Sequence, residues 1–245
     1  MENTFKSEDK EFTRLWHCFG NSYHMAPLNT VIDMINASKT NVLPVNTHNL
    51  VPQNKNGLEL GYAGVPLSML QNACDVSKMH IMLNINLQTS AEAAINKTKL
   101  AFDMSGEKLI KLEVLDKEHK HSNQDEIVKA ASELNKWNHS LKVYPLFAND
   151  LTTAKRLVDA GCKLLRVMGS AIGACKGITD QDTFQKICAL GVPVVLDGGV
   201  GSLDHAKNAI SLGAQGVLVN SMLFEQDRPP SEVLEDFAAY FNNAV

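Results

Sequence analysis

Leu109-Ile110-Lys111-Leu112-Glu113-Val114-Leu115 is an apolar run interrupted only by a lysine and a glutamate. A short apolar run of this kind reads as a buried strand. Side chains alternate faces along a strand, so Lys111 and Glu113 share one face while Ile110, Leu112 and Val114 share the other. Burying either charge is costly unless it is paired or used.

The pattern around this run decides the fold. Strand-like runs fall at 14–19, 41–46, 79–85, 109–115, 141–146, 163–168, 192–197 and 216–220. Helical patterns lie between and after them, at 27–38, 66–76, 90–104, 124–137, 150–160, 180–190, 203–212 and 231–242. Strict βα alternation implies a parallel sheet. Eight such units in 245 residues predict a single (β/α)₈ TIM barrel, an α/β fold spanning residues 1–245, with residues 1–12 as a flexible arm. Thr89-Ser90-Ala91-Glu92 reads as a capping box, Asp150 and Ser202 as helix N-caps, and Gly161, Gly191 and Gly213 as helix stops. The segment from Asp150 through Val167 also echoes Ser202 through Val219, each an N-capped helix, a glycine stop and an apolar strand. Val51–Gly57 is the expected flexible loop.

Bulk properties exclude several classes. The net charge of -4 argues against nucleic acid or a membrane surface as partner. No stretch is apolar enough to span a bilayer, and the polar N-terminus lacks a signal-peptide core. The five cysteines are scattered, with no Cys-x-x-Cys pair, which fits free thiols in a reducing cytoplasm. The eight histidines show no zinc spacing, so neither a metal nor a cofactor is expected. His119 and His121, in a lysine-rich stretch, read as solvated.

Barrel chemistry gathers at the C-terminal ends of the strands. On the fourth strand, Lys111 reads as an amine nucleophile that forms an imine, with Glu113 moving protons. A structural ion pair inside the barrel is an equal alternative. The seventh strand ends at Asp197, followed by Gly198-Gly199-Val200-Gly201. That reads as an acid/base carboxylate and a backbone anion site, or as a tight capped turn. After the eighth strand, Asn220 and Ser221 join Gly199 where barrels often hold a phosphate. The loop from Gly169 to Gly177, with Gly173, can wrap a phosphate or sugar. Cys175 in that loop reads as an inert thiol, since no paired histidine accompanies it.

Lys111-Leu112-Glu113-Val114, Val195-Leu196-Asp197-Gly198-Gly199-Val200-Gly201, Leu212 through Ser221, and Gly169-Ser170-Ala171-Ile172-Gly173 together resemble the thiazole synthase family of thiamin biosynthesis. The similarity runs from Met82 to Phe224. The resemblance implies an imine between Lys111 and the ketone of 1-deoxy-D-xylulose 5-phosphate. Sulfur would come from the C-terminal thiocarboxylate of a small ubiquitin-like carrier protein, and dehydroglycine would supply carbon and nitrogen. Glu113 and Asp197 would transfer protons, and Gly173, Gly198, Gly199, Asn220 and Ser221 would hold the sugar phosphate. A homodimer or homotetramer is implied as well. The chain departs from the family where the first strand usually ends in a Gly-Thr-Gly-Lys type turn, here Phe19-Gly20-Asn21-Ser22-Tyr23. The second strand usually ends with two arginines, here replaced within Val45-Asn46-Thr47-His48. Two other readings stand beside this one: a relative that moves carrier sulfur onto a different sugar phosphate, giving a thiosugar, and a catalytically silent sugar-phosphate-binding barrel.

Overall fold

A computed structural model describes residues 3–18, 27–47, 50, 61–62 and 64–243. The loop expected at Val51–Gly57, the turn Phe19–Tyr23, and His24 and His48 lie outside them. The barrel strands are β3 (Leu15–His17), β4 (Val42–Asn46), β7 (His80–Ile85), β8 (Leu109–Leu112), β9 (Lys142–Ala148), β10 (Leu165–Met168), β11 (Val194–Asp197) and β12 (Gly216–Val219). Seven parallel junctions join them in the order β3-β12-β11-β10-β9-β8-β7-β4. β4 lies against β3 to bring the sheet round, without a ladder between them among the described residues. The helices α1 (Leu28–Ser38), α2 (Leu67–Ala73), α3 (Ala91–Ser105), α4 (Gln124–Trp137), α5 (Leu151–Asp159), α6 (Gln181–Cys188), α7 (Leu203–Ser211) and α8 (Pro230–Asn243) follow in alternation. This is the (β/α)₈ barrel the alternation predicts. β5 (Gly61–Tyr62) and β6 (Val65–Pro66) add a small antiparallel extension beside β4.

Two apolar layers follow from strand alternation. Ile110, Leu112 and Val114 face the outer layer between sheet and helices. Inside the barrel, Trp16, Val42, Met82, Leu109, Tyr144, Val195 and Leu218 close the lower half. The expected flexible arm is instead an antiparallel hairpin of β1 (Thr4–Ser7) and β2 (Lys10–Thr13). Phe5 pairs across it with Phe12, and both rings join that lower interior layer. Phe12 meets Trp16 edge-on at 5.5 Å. The alternation in Thr4-Phe5-Lys6-Ser7 and Lys10-Glu11-Phe12-Thr13 carried this signal. Burying each ring is worth about 1.5–3 kcal/mol, enough to order a short arm.

Local chemistry sets the helix ends. Ser90 Oγ accepts from the Ala93 amide at 3.2 Å, while the Ala91 amide donates to Glu126 Oε2 at 2.6 Å. The cap is therefore Ser90 alone, with α4 supplying the second acceptor in place of a Thr89–Glu92 box. Asp150 and Ser202 cap α5 and α7 as expected. Gly161, Gly191 and Gly213 all take positive φ just past helix ends. Among the described residues, no helix is long and apolar enough to cross a membrane.

Candidate active site

Lys111 lies near the end of β8, and Glu113 follows just beyond it, its amide still paired to the Ile85 carbonyl at 3.0 Å. Both side chains point into the barrel, at 4% and 6% exposure. Lys111 Nζ donates to Glu113 Oε1 and to Asn84 Oδ1 (3.4 Å), and lies 3.9 Å from Asp197 Oδ2. Asp197 arrives from the end of β11, three strands away. The barrel thus brings together the three residues proposed as catalytic.

The structure adds a fourth member. Arg166, at the middle of β10, is fully buried. Its Nη2 reaches Glu113 Oε1 at 2.8 Å and Asp197 Oδ2 at 2.6 Å, and its Nε donates to the same Asp197 oxygen at 2.7 Å. Nη1 donates to the Tyr144 carbonyl at 3.1 Å. Two cations and two carboxylates therefore cancel in a dry layer, the arrangement that makes buried charge tolerable. The signal was present in the sequence: Arg166 interrupts the apolar run Leu164-Leu165-Arg166-Val167-Met168 as Lys111 interrupts its own.

The electrostatics follow from the packing. Burial disfavours the Lys111 ammonium and Arg166 repels it, but the facing carboxylates outweigh both and hold its pKa above the ordinary lysine value. Burial likewise opposes charge on Glu113, and the Lys111 and Arg166 cations reverse it, holding that carboxyl below its usual range. The resting site is thus an ion-paired ammonium and carboxylate. An amine must shed its proton before it can attack a carbonyl, and the acceptor stands beside it.

Above this layer the cavity opens, about 760 Å³ including its mouth. Gly173, Gly198, Gly199, Asn220 and Ser221 all line it together with Lys111, Glu113 and Asp197. The two glycine loops are laced together: the Gly169 amide donates to the Gly198 carbonyl (3.1 Å) and the Gly177 amide to the Gly199 carbonyl (2.7 Å). Gly199 takes φ +81, and a Cβ there would fall 2.1 Å from Ser170 Oγ. The turn needs glycine for both reasons. Asn220 and Ser221 sit where β12 passes into a single 3₁₀ turn, Ser221–Phe224.

Cys18 and Cys175 also line the cavity. Burial pushes the Cys18 thiol up to about 11. Burial, then Glu225, raises that of Cys175, whose Sγ lies 3.6 Å from Glu225 Oε2. Both stay protonated and are poor nucleophiles. His119, read from the sequence as solvated, instead lines the cavity and is half-buried. Among the described residues no His/Cys/Asp/Glu group could hold a metal ion.

Fold and site together define a (β/α)₈-barrel protein with a buried lysine between carboxylates beneath glycine-rich loops. A family model, "ThiG: Thiazole biosynthesis protein ThiG", matches residues 27–239. The chain belongs to this family of thiazole biosynthesis proteins. The thiazole synthase of Bradyrhizobium diazoefficiens is 34% identical over 143 residues, 57% of this chain and 54% of that protein. The thiazole synthase of Rhodospirillum rubrum is 35% identical over 163 residues, 66% of this chain and 56% of that protein. The matches thus span little more than half the length of these relatives. In fold, the chain is similar to the crystallised BexX/CysO complex of Amycolatopsis orientalis, with a TM-score of 0.83 at 24% identity, covering 99% of this chain and 93% of that one. A thiamine phosphate pyrophosphorylase from Pyrococcus furiosus shares the barrel more distantly, with a TM-score of 0.61 at 11% identity, covering 95% and 96%.

Proposed function

We propose that this protein is a thiazole synthase acting through an imine at Lys111. The observation that carries the reading is the Lys111 ammonium, buried between Glu113 and Asp197 at the floor of a cavity rimmed by Gly198, Gly199, Asn220 and Ser221. The phosphate of 1-deoxy-D-xylulose 5-phosphate binds at those residues and Gly173, which places its ketone over Lys111. Lys111 passes a proton to Glu113, and the neutral amine adds to the carbonyl carbon. Glu113 returns the proton to the carbinolamine oxygen, which leaves as water with a second proton drawn from nitrogen. Asp197, on the other side of the amine, removes the proton from the carbon next to the imine. Sulfur from the thiocarboxylate of a small carrier protein and the carbon and nitrogen of dehydroglycine complete a thiazole phosphate carboxylate. Family membership supports this chemistry. The solved neighbour, crystallised as BexX together with CysO, supports a protein partner at such a barrel. The active form is a homodimer or homotetramer, and no cofactor is required.

A second reading is favoured by the stretch Val45-Asn46-Thr47-His48, which lacks the two arginines that usually end the family's second strand. In it the same lysine takes another keto sugar phosphate and carrier sulfur yields a thiosugar. Incubation with each sugar phosphate, dehydroglycine and a thiocarboxylated carrier separates them. A thiazole phosphate from the pentulose phosphate is expected. A sulfur-bearing hexose phosphate with no thiazole would reverse the order. No product from any keto sugar phosphate, with phosphate binding intact, would support a silent barrel.

A further inference from the structure

The charges at the floor of the cavity cancel: Lys111 and Arg166 against Glu113 and Asp197. An anionic reactant therefore finds no net attraction there. Among the described residues lining the cavity, only one besides Lys111 can carry positive charge, and it is His119.

His119 belongs to the loop after β8, the fourth of eight barrel strands, whereas Asn220 and Ser221 follow the eighth. In an eight-stranded barrel those positions face each other across the mouth. A sugar phosphate anchored at Asn220 and Ser221 with its carbonyl at Lys111 leaves the His119 side open to a second reactant. The loop is held in shape there. The Asp116 amide donates to the His121 carbonyl (2.8 Å), the Lys120 amide donates to Asp116 Oδ1 (2.9 Å), and the Ile172 amide donates to the Lys120 carbonyl (3.1 Å). The last bond ties the loop to the one that carries Gly173. His119 itself sits at φ +54, a left-handed conformation uncommon for a residue with a side chain. Among the described residues, its Nδ1 is closed off from water and has no hydrogen-bond partner. Buried polar atoms are nearly always satisfied, so an orphan beside a cavity points to a missing ligand.

We infer that His119 binds the carboxylate-type terminus of the second reactant, the anion that delivers sulfur, as it enters over the rim opposite Asn220 and Ser221. Turning the ring toward that anion supplies the absent hydrogen bond. The inference rests on the sulfur-transfer reading above and deepens it.

The test uses the full chain and two short synthetic peptides of one sequence, one with a free C-terminal carboxylate and one amidated. Side-chain NMR of His119 follows each titration, and the Gly173 amide reports binding independently. The free acid should shift the His119 ring and the amide should not. His119→Ala should weaken the free acid about tenfold or more, and His119→Lys should restore most of it. Equal binding of acid and amide, no binding of either, or unchanged affinity in His119→Ala would each overturn the assignment. Borohydride trapping with 1-deoxy-D-xylulose 5-phosphate alone, run on the same variants, judges the synthase reading separately. Failure in the wild type would count against the synthase reading and not against the histidine.

Discussion

Arg166 grips a single oxygen of Asp197 with two nitrogens, Nε at 2.7 Å and Nη2 at 2.6 Å. The same Nη2 reaches across to Glu113. The carboxylates on either side of Lys111 are therefore held by a guanidinium from a strand between theirs. Arginine's planar fork suits this, since a lysine would present one point charge in place of several fixed donors.

Removing Arg166 should be severe. Arg166→Met leaves two buried carboxylates with only Lys111 to offset them. Breaking one partner of a buried ion cluster typically costs about 3–5 kcal/mol. Urea unfolding should show that loss, and Arg166→Lys should recover only part of it. An unchanged midpoint in Arg166→Met would mean the guanidinium does not hold the pair.

Much of this site was legible in the sequence, and the reasons are specific. Lys111, Glu113 and Asp197 are charges in apolar strands, and alternation alone sends them inward. Arg166 obeys the same rule but was hidden by its role in a repeat. His119 could not be seen, because it stands among the charged Lys117, Glu118 and Lys120 and only the Asp116 turn folds it back over the cavity. The N-terminal hairpin was missed because each strand has four residues, too short for periodicity to stand out.

Two glycines separate backbone strain from crowding. Gly173 takes φ +77 with nothing within 4 Å of a Cβ, so Gly173→Ala should cost only about 1 kcal/mol. Gly199→Ala adds a clash with Ser170 to a similar φ. It should lose more stability and weaken sugar phosphate binding at least tenfold by calorimetry. Equal effects at the two positions would show that Ser170 yields freely.

His17 gives the fold a pH dependence. It is buried, with Nδ1 2.5 Å from Tyr62 Oη and Nε2 3.0 Å from Ser38 Oγ, and burial lowers its pKa from 6.5 to about 3. The unfolded chain then binds a proton that the folded one refuses. Stability is full above pH 6.5 and falls as pH drops toward 3, by up to about 1.4 kcal/mol per pH unit. Glu113, held below its usual 4.5, adds its own loss only in more acid solution. Denaturant midpoints between pH 6.5 and 4.5 should therefore slope downward in the wild type and less so in His17→Gln.

The hairpin should carry real stability. Phe12 is fully buried beneath the barrel, so Phe12→Ala should cost about 3–5 kcal/mol. Thermal unfolding measures this directly. A shift of a degree or two would mean the arm is dispensable.

The central claim is that the Lys111 amine is the atom that reacts. Incubation with 1-deoxy-D-xylulose 5-phosphate, borohydride reduction and peptide mapping by mass spectrometry test it most directly. The account predicts one reduced sugar phosphate adduct, on Lys111, absent from Lys111→Ala while that variant stays folded. An adduct on another lysine, or one that persists in Lys111→Ala, would contradict it.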